Sequence, residues 1–274
     1  IIYSLAAGGK VSITALILAG MLPAALLMIC MLVAAYLVAI KRGYPAGTFP
    51  GWSAVLWSMV GALPGLFVVA IILVGILSGV FTATESAAIA VIYALALTIF
   101  VYRSLSWPNF LKAAAKAVKT TGIVLLLIGV SNTFGYLITL YEVADLTGKS
   151  LASLSTDPWV IFFLVNLILF VLGTFLDMAA TILICTPIFL PICMQYGMGP
   201  VQFGMLMLIN CALGLNTPPV GTTQFVGCAI GGVSVGQVMR TILPFYGALI
   251  AALFLVTYVP AFSLALPKLF LGKF

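Results

Sequence analysis

Five long apolar runs constrain this chain more than any other feature of its sequence. Each has about 20 residues, which is the length that an α-helix needs to cross a hydrocarbon core of about 30 Å. The composition agrees, because 64% of the 274 residues are hydrophobic and only 6% are charged, with a mean hydropathy of +1.33. Soluble domains carry roughly 25% charged residues. We therefore predict an all-α integral membrane protein whose spanning helices are Gly20–Ile40, Gly61–Val80, Glu85–Tyr102, Thr120–Leu140 and Pro244–Leu264.

Residue types that commonly carry catalysis or bind transition metals are scarce in the sequence. There is no histidine, the side chain that most often acts as a general base at neutral pH. The net charge of +6 comes without a basic stripe, so no nucleic-acid partner is expected. We predict no cofactor and no transition-metal site. The five cysteines lie in apolar runs without CxxC spacing and are interpreted as buried thiols; they are Cys30, Cys185, Cys193, Cys211 and Cys228.

The basic residues are distributed unevenly between the loops. If Lys41 and Arg42 lie in the cytoplasm, seven basic and no acidic residues face that side, including the three lysines of Lys112–Lys119 at the membrane interface. Four basic and four acidic residues then face outward. This arrangement obeys the positive-inside rule. It places the C-terminus outside the cytoplasm.

The segment from Asp157 to Gly232 departs from the pattern of long runs. Two apolar runs, Trp159–Leu172 and Ala179–Ile192, have 14 residues each and are too short to span a bilayer upright. Between them lies the polar segment Gly173–Met178. We interpret the two runs and this tip as a re-entrant hairpin, which enters and leaves the membrane on the external side.

A second interruption follows the hairpin. Val201–Leu213 and Thr222–Ile230 are each about half the length of a spanning helix, and they flank Gly214–Gly221, which contains Pro218 and Pro219. Adjacent prolines cannot continue an α-helix, because two backbone donors are missing and each ring clashes with the preceding turn. The sequence therefore predicts a helix that is broken inside the membrane.

A weak internal repeat connects the two ends of the chain. Ala6–Ser12 is followed about eleven residues later by Pro23, and Ala229–Ser234 is followed about ten residues later by Pro244. In the predicted topology the two copies lie on opposite sides of the membrane, as an inverted repeat requires.

This repeat predicts the domain organisation. Residues 1–40 would end a first repeat, as an interfacial arm helix and a transmembrane helix, and most of that repeat is expected to be missing from this sequence. Residues 41–274 would form the second repeat. Its parts are scaffold helices mainly in 41–156, a transport-domain hairpin and broken helix in 157–232, and an arm helix with the last transmembrane helix in 233–274.

The two interruptions carry the candidate site. Broken backbone inside a membrane is costly and persists where the freed groups line a cavity or bind a ligand. Freed carbonyl groups are suited to Na⁺, and the N-termini of half-helices are suited to an anionic substrate. The candidate Na⁺ ligands are Gly173, Thr174, Asp177, Gly214, Asn216, Thr217 and Gly221. The candidate substrate-binding residues are Thr181, Pro218, Pro219 and Thr222.

Several of these side chains also have a structural interpretation. Asp177 is the only acidic residue deep in the apolar region, and it either contacts an ion, a substrate or a subunit, or caps the returning hairpin helix. Thr174 and Thr181 either serve the site or donate to carbonyls of their own helices.

Three asparagines are also open to more than one interpretation. Asn216 either supplies a side-chain carbonyl to an ion or adopts a left-handed backbone. Asn132 and Asn166 lie inside apolar helices, where we expect interhelical hydrogen bonds.

Three segments carry a family resemblance. They are Phe81–Ala88 with its capping-box pattern at Thr82 and Glu85, Gly173–Asp177 running on to Thr186–Pro191, and Gly214–Gly221. In this order they resemble the large membrane subunit of the tripartite ATP-independent periplasmic (TRAP) transporters. The resemblance extends over essentially all of the chain.

The resemblance implies a Na⁺-coupled transporter in a bacterial inner membrane that imports an organic acid by an elevator mechanism. It also implies two partners, a small four-helix membrane subunit and a soluble periplasmic protein that captures the substrate. Gly173–Asp177 would be the second hairpin tip and Thr217–Gly221 the second helix break, together forming one Na⁺ site. The family's first hairpin and first proline break have no counterpart here, so half of the substrate site is expected outside this sequence.

Other functions are compatible with parts of the pattern. A stand-alone sodium–carboxylate or citrate-type symporter would use the same hairpin architecture without a binding protein. An intramembrane enzyme based on Asp177 would lack a second membrane-embedded carboxylate for paired acid–base work. A purely structural subunit does not account for two costly interruptions of the backbone.

Overall fold

The computed structural model describes residues 1–45, 47–218 and 221–272. Within these ranges the regular elements are helices, and none is a strand. They are α1 (Ile2–Ala6), α2 (Ile13–Arg42), α3 (Trp52–Leu77), α4 (Ala83–Ala96, continued by a π-helical turn at Leu97–Val101), α5 (Trp107–Leu140), α6 (Val143–Leu154), α7 (Pro158–Phe175), α8 (Met178–Gln195), α9 (Pro200–Leu215), α10 (Thr222–Gly231), α11 (Val235–Tyr258) and α12 (Ala261–Leu271). The described part of the chain contains seven helices that are long and apolar enough to cross a membrane. The protein is an all-α integral membrane protein.

Helix ends lie where the local sequence signals them. The helix α2 ends at Arg42, and Gly43 follows in the left-handed conformation with φ 62°, which costs glycine little. At the start of α4 the predicted capping box is present: the Thr82 N–H donates to the Glu85 carboxylate at 2.8 Å, and the Glu85 N–H donates to Thr82 Oγ1 at 3.3 Å. Glu85 is therefore a helix cap, as predicted.

The predicted final span, Pro244–Leu264, is wrong. The helix α11 begins earlier, at Val235, and ends at Tyr258, and a separate helix α12 starts at Ala261. The break lies at Val259, whose backbone is extended with φ −115° and ψ 93°. The ring of Pro260 causes this, because it disfavours the helical conformation in the residue before it.

Two further lengths differ from the predictions. The helix α5 is continuous over 34 residues. The segment with the three lysines of Lys112–Lys119 and the predicted span Thr120–Leu140 therefore belong to one helix. The hairpin helices α7 and α8 have 18 residues each rather than 14, about 27 Å at 1.5 Å per residue. Their length is therefore no argument for re-entry, although the hairpin itself is confirmed.

The chain divides into two compact units, Tyr44–Ile123 and the remainder, Ile1–Gly43 with Val124–Phe274. In the smaller unit α3 packs on α4. The Tyr93 hydroxyl donates to the Pro64 carbonyl at 3.1 Å, and Gly75 leaves room for Ser86, whose Oγ would lie 2.8 Å from a Cβ atom at position 75.

The larger unit is built around α9. Of its 16 residues, 12 are buried, and α2, α7, α8, α11 and α12 pack against it. The short helix α1 packs on α8, and its Tyr3 hydroxyl donates to the Pro200 carbonyl at the start of α9. Leu213 and Gly214 are among these buried residues, which places the end of α9 inside the bundle.

The proposed repeat has the same local form at both ends. Gly8 and Gly9 have φ 73° and 71° before Ser12, the N-cap of α2. Likewise, Gly232 has φ 62° before Ser234, the N-cap of α11. The inverted topology of the two copies stays a prediction.

Candidate ion and substrate site

The end of α7 touches the end of α9 through two glycines. A Cβ atom on Gly214 would lie 2.5 Å from the Gly173 carbonyl oxygen and 2.8 Å from the Gly173 Cα. No side chain fits between backbones at these distances, so only glycine at position 214 permits the crossing. The hairpin end and the helix that precedes the predicted break therefore meet, as the sequence analysis requires.

Buried amides also hold the same helices together, two turns before Gly173 on α7 and about one turn before Gly214 on α9. The Asn210 amide donates to the Asn166 carbonyl oxygen at 3.0 Å and to Asn166 Oδ1 at 2.9 Å. The Asn166 amide donates to Thr257 Oγ1 of α11 at 3.2 Å, and the Gln202 amide donates to the Thr257 carbonyl at 2.8 Å. Such bonds join helices within a membrane. The interhelical role predicted for Asn166 is confirmed.

For Asn132 the same role stays a prediction. Its side chain is exposed on α5, and no described residue forms an interhelical hydrogen bond with it. Asn132 lies on a helix whose apolar stretch is only 6% buried by the described residues.

The hairpin turns at two residues, Leu176 and Asp177. Leu176 is extended with φ −104° and ψ 149°, and Asp177 is the N-cap of α8. The Asp177 carboxylate accepts the Ala179 N–H at 3.1 Å, and the side chain is otherwise exposed. The capping interpretation of Asp177 is therefore found in the structure, while one carboxylate oxygen keeps its capacity to accept.

Both hairpin threonines donate to their own helices. Thr174 Oγ1 donates to the Val171 carbonyl at 2.7 Å, and Thr181 Oγ1 donates to the Asp177 carbonyl at 3.0 Å. The Thr181 side chain is fully buried. Each hydroxyl oxygen still has lone pairs with which it can accept a bond.

The helix break is confirmed between α9 and α10. Asn216 follows Leu215 with φ −95° and ψ 0°, so the left-handed conformation considered for it is wrong. Its amide donates to the Ala212 carbonyl at 2.9 Å. Thr217 Oγ1 donates to the Leu213 carbonyl at 2.8 Å, and Gly221, the N-cap of α10, has φ 20° and ψ 57°.

Two candidate residues lie partly or wholly outside the described structure. Pro219 is not among the described residues, and for Thr222 only the backbone is described, at the start of α10. Pro218 is half-buried in the turn between the two helices.

The sequence analysis missed two residues at the break, Tyr246 and Gln224. The Tyr246 hydroxyl of α11 donates to the Asn216 carbonyl. Gln224 lies in the first turn of α10 and is buried. No local pattern marks Tyr246, which is 30 residues away from Asn216.

Within the described ranges, some backbone acceptors at the end of α7 and some backbone donors at the start of α10 have no hydrogen-bond partner. Among the described residues none donates a hydrogen bond to the carbonyl oxygens of Gly173 and Thr174. The N–H groups of Thr223 and Gln224 at the start of α10 likewise have no acceptor within the described ranges. Carbonyl oxygens favour a cation, and helix N-termini favour an anion.

Discontinuous helices of this kind occur in many membrane transporters. Comparison with known families also indicates a transporter. Residues 1–262 match the family described as "Tripartite ATP-independent periplasmic transporter, DctM component". The chain belongs to this family of TRAP transporter large subunits.

Individual relatives show the extent of the match. The chain is 43% identical over 270 residues to YgiK of Salmonella typhimurium, covering 98% of this chain and 62% of the relative. It is 37% identical over 263 residues to the C4-dicarboxylate TRAP transporter large permease protein DctM of Pseudomonas aeruginosa, covering 96% of this chain and 62% of the relative. It is 34% identical over 261 residues to the sialic acid TRAP transporter large permease protein SiaM of Vibrio cholerae, covering 95% of this chain and 61% of the relative. The chain thus spans less than two thirds of the length of these curated relatives.

Proposed function

We propose that this chain is part of a permease that imports an organic acid anion across a bacterial inner membrane, coupled to Na⁺. The observation that carries the proposal is the contact between Gly173 and Gly214. It brings the free carbonyl end of the α7–α8 hairpin beside the helix break at residues 216–221. Two interruptions of this kind in one place are costly in a membrane unless they serve a ligand.

The polarity of the two breaks supports a cation and an anion together. The carbonyl ends of α7 and α9 carry the negative ends of their helix dipoles, whereas the N-termini of α8 and α10 carry the positive ends. A Na⁺ ion would bind to the carbonyl oxygens of Gly173 and the Gly214–Gly221 segment, with Asp177 and Thr217 as further ligands. The substrate carboxylate would bind near the N-terminus of α10. No catalytic residue is proposed.

Family membership favours a tripartite system over a stand-alone symporter. We propose a small membrane subunit and a periplasmic binding protein as partners, with a periplasmic C-terminus and an elevator motion of residues 157–232 against the scaffold helices. The relatives named for C4-dicarboxylates and sialic acid support an organic acid without deciding which one.

The test is uptake by the intact transporter in proteoliposomes. Labelled C4-dicarboxylates and sialic acid are supplied with an inward Na⁺ gradient or an equal K⁺ gradient, with and without the binding protein. We expect uptake only with both the Na⁺ gradient and the binding protein. Full uptake without the binding protein would identify a stand-alone symporter, and equal uptake in K⁺ would refute Na⁺ coupling.

A further inference from the structure

Gln224 has a buried oxygen without a hydrogen-bond partner. The residue is only 6% exposed, and its Nε2 donates to the Met239 sulfur of α11 at 3.2 Å. The Gln224 Oε1 atom has no donor within the described residues. Buried polar atoms of this kind are rare in native proteins and call for an explanation.

The unpaired oxygen points into the helix break. Gln224 Oε1 lies 3.5 Å from the position that a Cβ atom on Gly221 would occupy, and the Thr217 carbonyl oxygen lies 3.1 Å from the same position. Because Gly221 has no side chain, two oxygens border this small space. The Thr217 oxygen accepts the Gly221 N–H at 3.2 Å and has a second lone pair.

Helix capping does not explain the orientation of Gln224. A glutamine three residues after the N-cap normally accepts the N-cap N–H and completes a capping box. Here the Gly221 N–H donates to Thr217 instead. A reversed amide is also unfavourable, because the Met239 thioether can only accept a hydrogen bond. The contact with sulfur therefore holds the amide with its oxygen toward the break.

We infer that Gln224 Oε1 is a side-chain ligand for a monovalent cation at the helix break, beside the Thr217 carbonyl oxygen. The inference rests on the proposed Na⁺ coupling and deepens it, since it assigns a ligand that no motif indicated. Neutral carbonyl oxygens are hard donors suited to such an ion.

The test is a Na⁺ titration of the thermal unfolding midpoint of the purified intact transporter, at constant ionic strength with choline chloride. Gln224→Leu removes the oxygen, and Gln224→Asn withdraws it by one methylene. We expect both variants to raise the half-saturating Na⁺ concentration about tenfold, the equivalent of about 1.4 kcal/mol. We expect Gln224→Glu, which keeps an oxygen in place and adds charge, to require no more Na⁺ than the wild type.

The matched control is Gln237→Leu. Gln237 occupies the same position in the first turn of α11, where its Oε1 accepts the Ser234 N–H at 3.2 Å. This variant should lose stability without any change in half-saturating Na⁺. If the Gln224→Leu and Gln224→Asn variants also keep the wild-type half-saturation, Gln224 serves packing alone and the inference is overturned. A wild-type protein without any Na⁺ response would refute the coupling itself, and the inference with it.

Discussion

The crossing of α7 and α9 predicts that two neighbouring glycines tolerate alanine very differently. In Gly214→Ala the new methyl group would lie 2.5 Å from the Gly173 carbonyl oxygen. The obstructing atoms belong to the backbone, so the helices have to move apart. In Gly173→Ala the new methyl group would lie 3.6 Å from the Gly214 Cα and 3.8 Å from the Asn210 carbonyl oxygen. These are ordinary van der Waals distances.

The two variants should therefore differ in the sign of their effect. Overpacking of a core costs about 1–3 kcal/mol, which for a domain of this size corresponds to a fall of roughly 2–12 °C in the thermal midpoint. The control variant, Gly173→Ala, should gain up to about 1 kcal/mol of unfolding free energy, because alanine is a better helix former than glycine. Gly214→Ala also displaces the Gly173 carbonyl, so its Na⁺ half-saturation should rise as well.

The thermal midpoint and the half-saturating Na⁺ concentration are measured on the purified intact transporter. Na⁺-dependent uptake in proteoliposomes is the functional readout. We expect Gly214→Ala to lose stability and most of its uptake, and Gly173→Ala to retain both. If both variants lost stability and uptake, or both retained them, the backbones of Gly173 and Gly214 would not touch as described. The proposed site would then lose its main support.

Three further substitutions test the surroundings of the site. Tyr246→Phe removes the one donor that the described residues offer to the half-buried Asn216 carbonyl and should cost about 1–3 kcal/mol of unfolding free energy, whereas Tyr258→Phe, which loses an exposed hydrogen bond, should cost less than about 1 kcal/mol; equal thermal midpoints of the two variants would contradict this. Asp177→Asn should keep the cap, since asparagine caps about as well as aspartate, and should therefore lower uptake far more than the amount of folded protein; parallel losses would leave only the capping role. Joint replacement of Pro218 and Pro219 by alanine should let the helix re-form and abolish Na⁺-dependent uptake while the protein still inserts, and an unchanged Na⁺ half-saturation would contradict a site at the break.

Local chemistry made much of this fold predictable. The end of α2 at Arg42, the capping box at Thr82 and the helix break before Gly221 all follow from residues within one or two turns. Proline, glycine and capping side chains act over that range. The division at Pro260 is equally local, and the sequence analysis missed it because the apolar run continues through the proline.

The helix lengths were less predictable. Hydropathy alone placed the hairpin helices at 14 residues, whereas α7 continues through Gly173 and Thr174 to Phe175. These residues are weak helix formers by themselves, and tertiary packing overrides such preferences. The buried contact of Gly173 with Gly214 is that packing.

The sequence by itself determined that this chain resides in a membrane, where several of its helices are capped or broken, and that its backbone is interrupted at the hairpin tip and before Gly221. Those properties depend on apolar length and on neighbours along the chain. Only the tertiary structure decided that the Gly173 carbonyl faces Gly214, that Tyr246 binds the Asn216 carbonyl and that Gln224 turns an unpaired oxygen into the break. Most of these contacts join different helices, and all depend on how close the helices lie and how they are rotated, which no local pattern encodes.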